Sequence, residues 1–397
     1  LGVFGVDRHP AHRHQLRHPK PTALLLALCA ALATVAASLP ASVSAASVAA
    51  GAPAGFFGID PQTTLTDRDV RYMQAGGIES IRVPFPWGAI QPKAKGGYDW
   101  SGTDAIVEMA TRGGLRVLPF LYGTPRWLAP KPTKLPIDSA RARQAWTAFV
   151  EAAVRRYGPG GEFWAERRPE ATAVNYLPPI PTPMPIHAWQ VWNEANFFYF
   201  AYPVSPSRYA RLLKLTQPAI NLVDPGAEVV LSGLFGDPNE GGRRGMNATD
   251  FLDALYRSPG IKSRFDAAAL HPYAFHVEEL EVLTQELREV MLAHGDRGAG
   301  LYITEMGWGS QNDPNVVAFE QGIQGQAREL RGAYRYLIEN RRRFNLRGVY
   351  WYSWKDSPEY TECHFCDSVG LFRAGPQFRP KPAWRAFVGL TGGRARP

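Results

Sequence analysis

From residue 55 onward the chain alternates short apolar runs with longer stretches of helical periodicity, and this rhythm limits the folds open to it more than any other feature. Eight runs read as strands: Phe56–Ile59, Ser80–Phe85, Arg116–Leu121, Ala188–Trp192, Glu228–Gly233, Ala267–His271, Leu301–Glu305 and Gly348–Ser353. Between them, Ile106, Met109 and Ala110 mark one helix face. Leu280, Leu283, Leu287 and Met291 mark a second, and Ile323, Ala327, Leu330, Tyr334 and Leu337 a third, at spacings of three and four. Gly76-Gly77, Gly113-Gly114 and Gly295 stand where helices must end in a left-handed turn. Eight strand–helix units in one chain predict an α/β fold, a closed parallel (β/α)8 TIM barrel forming a single catalytic domain over residues 55–391. The competing open, doubly wound sheet would carry a glycine-rich turn after its first strand. Here that position reads Asp60-Pro61-Gln62. The Pro-rich stretch Leu177–Pro185 reads as an insertion before the fourth strand.

Ahead of this domain, residues 8–20 are rich in Arg, His and Lys, and an apolar run follows from Ala23 to Ala37. Leu39-Pro40 breaks that run, and Val43-Ser44-Ala45 offers a small-x-small cleavage site. The order matches a secretory signal over residues 1–45, with residues 46–54 as a flexible lead-in. The run is short for a bilayer span of about 20 residues, so secretion is expected over an uncleaved anchor, with no stable membrane insertion once the signal is removed. Cysteine use agrees. Beyond the signal only Cys363 and Cys366 remain, in a Cys-His-Phe-Cys stretch. An oxidising compartment favours a short local disulfide there, with free thiols as the alternative. Hydrophobic residues make up 45% and charged residues 20% of the 397, which excludes a mainly disordered or coiled-coil chain. The net charge is +8, and the signal region contributes four basic residues against Asp7. No basic stripe suggests nucleic acid.

In such a barrel the chemistry sits at the C-terminal ends of the strands. Strand two ends in Arg82-Val83-Pro84-Phe85-Pro86-Trp87, strand four in Trp192-Asn193-Glu194, and strand six in His271-Pro272-Tyr273. Strand seven ends in Thr304-Glu305-Met306-Gly307-Trp308 and strand eight in Tyr352-Ser353-Trp354. Singly, each of these residues is as well explained as a rim ion pair, a helix cap or a bonded core histidine. Jointly they bring two carboxylates, an arginine, an asparagine, a histidine and several aromatics to one rim.

Two carboxylates across a cleft can cleave a glycosidic bond, one as acid and one as nucleophile or base. They need opposite protonation, so their surroundings must differ. Arg82 would hold one carboxylate ionised, and its removal is expected to cost turnover with little effect on folding. Tyr273 would donate to the same carboxylate, and Asn193 would meet a sugar 2-hydroxyl. Trp87, Trp127, Trp308 and Trp354, with the run Phe197-Phe198-Tyr199-Phe200, offer flat faces for sugar rings, though some of them are expected to cap the core.

These residues resemble the clan A retaining glycoside hydrolases on (β/α)8 barrels. Val191-Trp192-Asn193-Glu194-Ala195-Asn196 looks like the clan's acid/base motif on strand four, and Ile303-Thr304-Glu305-Met306-Gly307-Trp308 like its nucleophile motif on strand seven. Arg82, His271, Tyr273 and Trp354 match its residues around the nucleophile and the sugar. Lys381-Pro382-Ala383-Trp384 resembles a closing-helix motif, and Tyr157–Trp164 is similar to secreted bacterial proteins related to families 39 and 5. Ala195 departs from the Pro that many relatives carry. The resemblance spans roughly residues 55–390. It implies Glu194 as acid/base and Glu305 as nucleophile, and Arg82, Trp87, Asn193, His271, Tyr273, Trp308 and Trp354 as substrate-binding residues. It implies a polysaccharide or oligosaccharide substrate, and no cofactor or metal. Two other readings remain open. One is a carbohydrate-binding protein of weak or absent turnover on the same barrel. The other is a metal-dependent hydrolase, although His187, His271, His276, His294 and His364 do not pair at strand ends with ligand-like spacing.

Overall fold

Eight parallel strands close on themselves in the computed structural model, which describes residues 52–175, 177–311, 319–358 and 365–397. They are β1 Phe57–Asp60, β2 Ser80–Pro86, β3 Arg116–Tyr122, β4 Ala188–Val191, β5 Glu228–Val230, β6 Ala267–His271, β7 Gly300–Met306 and β8 Leu346–Tyr352. Neighbours in sequence are neighbours in the sheet, and β1 joins β8 through Gly58↔Tyr350. The predicted (β/α)8 barrel is the fold observed. Strand ends lie within two residues of the sequence reading except at the fifth. There the ladder stops at Val230 and resumes as Leu234–Phe235, which pairs with β6. Gly233 causes the break. It has φ +64°, and a Cβ there would lie 2.2 Å from His271 Nε2. Only glycine lets the backbone pass so close to that ring.

Among the described residues, the eight longest helices form the outer layer: α1 Asp67–Ala75, α2 Ser101–Arg112, α3 Ala140–Tyr157, α4 Pro206–Val223, α5 Ala248–Tyr256, α6 Val277–Ala293, α7 Gly322–Glu339 and α8 Pro382–Thr391. Their starts are built locally. Thr66 and Asp69 form a reciprocal capping box on α1, and Ser139 and Ser205 cap α3 and α4. Gly77, Gly114 and Gly295 take positive φ just past helix ends, as their positions require. The α2 face differs from the sequence reading. Val107 and Ala110 are buried, while Ile106 and Met109 are partly exposed and border the large cavity described below.

Inside the barrel the lower lumen is filled by Leu118, Val230, Ala267, Ala269, Tyr302 and Tyr350. The two tyrosines fit because their neighbours are small. A Cβ on Gly58 would lie 2.3 Å from the Tyr350 ring. Side chains two residues further up each strand enter a polar layer, where the candidate site begins.

The expected signal and most of the lead-in fall on residues 1–51, outside the described residues, as does Cys363. Cys366 is buried beside Tyr352 and Val369. Among the described residues, no helix is long and apolar enough to cross a membrane.

Candidate active site

Strand alternation turns Arg82 of β2 into the lumen, where its side chain is fully enclosed. A buried guanidinium must have its charge and its donors satisfied, and four strands supply the partners. Arg82 Nη1 donates to Glu305 Oε1 of β7 at 2.7 Å and also to Asp60 Oδ2 of β1. Nη2 donates to Asn193 Oδ1, and Nε to Gln190 Oε1 of β4 at 2.6 Å. The Phe120 ring of β3 covers the guanidinium at 4.2 Å. Removing Arg82 would therefore strand two buried carboxylates, so the expectation that it serves turnover without serving folding is corrected by this burial.

Glu305 receives its second hydrogen bond from the Tyr273 hydroxyl, 2.8 Å from Oε2. Burial and the charge of Glu305 push the Tyr273 phenol well above its ordinary range, so it stays a donor. Glu194 follows β4 on a backbone with φ +38°, after Trp192 at φ +74°. The Glu194 N–H is held by Ser232 O at 2.8 Å and the Ala195 N–H by Ser232 Oγ at 3.2 Å. These anchors from the fifth-strand break hold the Glu194 carboxyl over the lumen. Its Oε1 lies 2.7 Å from His271 Nδ1, and His271 Nε2 lies 2.9 Å from Thr304 Oγ1.

The electrostatics separate the two glutamates. Burial, then the charge of Glu305, raises the Glu194 pKa well above the carboxylate range. Burial, then Arg82, pushes the His271 imidazole well below its usual value, so it is neutral. Glu305 instead takes two charge-directed donors, Arg82 and Tyr273. One ligand-capable oxygen or nitrogen from each of Glu194, His271 and Glu305 lies within 4.8 Å of the others. A cation bridging them would sit against the Arg82 guanidinium and break the His271–Glu194 bond. The donor set suits protons better: a carboxyl whose pKa is raised faces one that accepts from Arg82 and Tyr273.

A cavity of about 620 Å³ opens on the Arg82–Glu305 side of this cluster and is lined there by Arg82, Asn193, Glu305, Phe120, Tyr122 and Tyr352, with Glu194, His271 and Tyr273 behind the lining. Pro61–Leu65, Ile106, Met109 and Phe200 form the remaining wall. Asn193, His271, Tyr273, Glu194 and Glu305 are thus brought together around Arg82. The tryptophans are not. Trp87 is fully buried against Trp127, Trp146 and Phe149. Trp354 donates to Asp69 Oδ1 at 2.7 Å and packs on Trp384 of α8. Trp308 is 1% exposed, with its indole N–H on Phe275 O at 3.1 Å. All three are buried in packing outside the cavity lining. Tyr352, last in β8, presents its ring to the cavity where Trp354 was expected. Asp60, Gln190 and Thr304 were also missed. Each sits at an inward position of its strand, so the same alternation that selects Arg82 would have found them.

No protein-family profile matches the sequence, and no curated protein matches it. Solved structures do match the fold. A family 39 glycoside hydrolase from the gut symbiont Bacteroides cellulosilyticus superposes with a TM-score of 0.58 at 19% identity, over 86% of this chain and 64% of that one. A monomeric beta-xylosidase from Caulobacter crescentus gives 0.57 at 19% identity, over 85% and 68%. A thermostable mutant of a xylanase from Cellvibrio japonicus gives 0.59 at 14% identity, over 88% and 100%. The chain spans about two thirds of the length of the first two. At these identities the likeness establishes a shared barrel.

Proposed function

We propose that the protein is a secreted retaining glycoside hydrolase acting on a polysaccharide or oligosaccharide, with Glu305 as nucleophile and Glu194 as acid/base. The observation that carries this reading is the pair itself: an oxygen of each carboxyl within 4.8 Å of the other, with the Glu194 pKa raised and Glu305 accepting from Arg82 and Tyr273. Double displacement uses carboxyls about 5–5.5 Å apart, whereas inversion leaves room for water at about 6.5–9.5 Å. The hydrolases that share the barrel, a beta-xylosidase and a xylanase among them, support a carbohydrate substrate.

In this reading each step has a group to carry it. Glu305 attacks the anomeric carbon while Glu194 gives its proton to the departing oxygen, leaving a glycosyl ester on Glu305 and an ionised Glu194. The ester carries no charge, so one cause of the raised Glu194 pKa disappears when the intermediate forms. Glu194 can then take a proton from water, which attacks the anomeric carbon, breaks its bond to the Glu305 oxygen and frees Glu305. Asn193, held by its Oδ1 on Arg82, is placed at the cavity wall for the sugar 2-hydroxyl. Because Glu194 acts first as an acid, the rate falls as pH rises through its raised pKa.

Secretion rests on residues 1–45 and on the Cys363/Cys366 pair, whose disulfide would shape the loop after β8. N-terminal sequencing and thiol mass spectrometry of the exported protein test both. The activity is tested by product analysis on a panel of cell-wall and exopolysaccharide glycans. Release of sugars with retained anomeric configuration supports the reading. Binding without turnover across the panel would instead leave a carbohydrate-binding barrel.

A further inference from the structure

Asp60 is a buried carboxyl that the mechanism above leaves unused. It ends β1, is 1% exposed, and faces Arg82 from the side opposite Gln190. Its Oδ2 and Glu305 Oε1 meet the same nitrogen, Arg82 Nη1. One fixed positive charge is therefore shared by two carboxyls, and a third, Glu194, stands on the far side of Glu305. Among the described residues, the other groups facing Asp60 are two tyrosines and a glutamine. Tyr350 and Tyr352 of β8 lie alongside, with Tyr352 opposite Asp60 in the ladder, and Gln62 donates to Asp60 Oδ1 at 3.4 Å.

We propose that Asp60 is a positioning residue of the reaction: it divides the charge of Arg82 with Glu305 and so sets the pH range over which the glutamate pair works. With Asp60 protonated, the Arg82 charge serves Glu305 alone. With Asp60 ionised, the Arg82 charge, which lowers the Glu194 pKa, is partly neutralised, so Glu194 holds its proton more tightly and the acid's working range extends upward. Burial, opposed by Arg82 and reinforced by Glu305, pushes the Asp60 pKa up to about 7, so the two states exchange near neutrality.

The inference rests on the glycosidase reading, and its test separates the two. The substrate is whichever aryl glycoside the wild-type enzyme hydrolyses; no hydrolysis at all would remove the parent reading first. Asp60→Asn mimics the protonated state at every pH. At acid pH it should turn over within a few fold of wild type, with its acid arm unmoved. Its alkaline arm should move to lower pH. A purely structural Asp60 would lower the melting temperature without moving that arm. A second readout needs no activity. A carboxyl whose pKa is higher in the folded chain than in the unfolded one destabilises the fold as pH rises between those two values. For Asp60 that window runs from 3.8 to about 7, so across it the melting temperature of Asp60→Asn should gain on wild type. An unmoved alkaline arm overturns the proposal, as does a folded Asp60→Asn that is inactive at all pH. If Asp60→Asn does not fold, carboxyl ¹³C NMR of the wild type decides. Titration of Asp60 near neutrality supports the proposal, and titration in the ordinary carboxylate range overturns it.

Discussion

The barrel carries one trio of side chains at both of its ends. At the C-terminal ends of the strands, Glu305 accepts from the Tyr273 hydroxyl at 2.8 Å and from Arg82 at 2.7 Å. At the N-terminal ends, Glu228 accepts from the Tyr302 hydroxyl at 2.8 Å and pairs with Arg347 at 3.2 Å. Each trio borders a cavity, of about 620 Å³ above and about 500 Å³ below. The differences lie in what surrounds them. Arg82 is fully enclosed and tied to four strands, whereas the Arg347 side chain is 41% exposed and screened by water. Above, a second carboxyl with a raised pKa stands beside the anion. Below, the neighbouring acid, Asp266, accepts the Val229 backbone N–H at 2.8 Å and so holds the strand. A carboxylate, a tyrosine and an arginine thus make a structural tie on their own. They become a reactive site when the cation is enclosed and a protonated partner faces the anion.

Paired substitutions should break this symmetry, the largest first. Glu305→Ala is expected to reduce kcat by on the order of 10⁴–10⁶-fold, whereas Glu228→Ala should leave kcat within about twofold and lower stability by roughly 1–3 kcal/mol through the unpaired Tyr302 hydroxyl. Equal activity in the two variants, measured on one aryl glycoside, would erase the distinction. Arg82→Lys keeps a charge but loses the fork that reaches Glu305, Asp60, Asn193 and Gln190. A loss of roughly 10²–10³-fold in kcat is expected, on the scale of removing a preorganised donor. Arg347→Ala should cost about 0–1 kcal/mol of stability, read by denaturant titration, and no activity. The finest contrast is one oxygen. Tyr273→Phe removes a bond to an anion worth about 1.5–3 kcal/mol, or roughly 10–100-fold in kcat. Tyr302→Phe should shift only the unfolding midpoint.

How much of this was legible beforehand follows from the two periodicities. Strand-end position placed Arg82, Asn193, Glu194, His271, Tyr273 and Glu305 at one rim, because strand ends in a parallel barrel share a face. Alternation within the strands predicts Asp60, Gln190 and Thr304, but a neutral Gln or Thr inside a strand carries no chemical signal until a buried charge is seen to need it. The tryptophans misled because aromatic content does not report direction. Trp87, Trp308 and Trp354 are buried, with their indole N–H groups spent on Gln91, Phe275 and Asp69. The break in the fifth strand was invisible for a related reason. Gly233 reads as an ordinary strand-end residue until His271 is found where its side chain would be.

The central claim is the division of labour between Glu194 and Glu305, and azide rescue tests it most directly. With a substrate whose leaving group needs no proton, Glu194→Ala should form the glycosyl ester on Glu305 and stall, since nothing activates water. Azide needs no base, so it should restore turnover and give a glycosyl azide with the substrate's own anomeric configuration, the outcome of two inversions. In Glu305→Ala, azide can enter only the vacated side, and any rescued product should be inverted. Nuclear magnetic resonance of the two glycosyl azides reads the result. A retained azide from Glu194→Ala and an inverted one from Glu305→Ala is the prediction. The opposite assignment would exchange the two roles, and unimpaired hydrolysis by both variants would contradict the site itself.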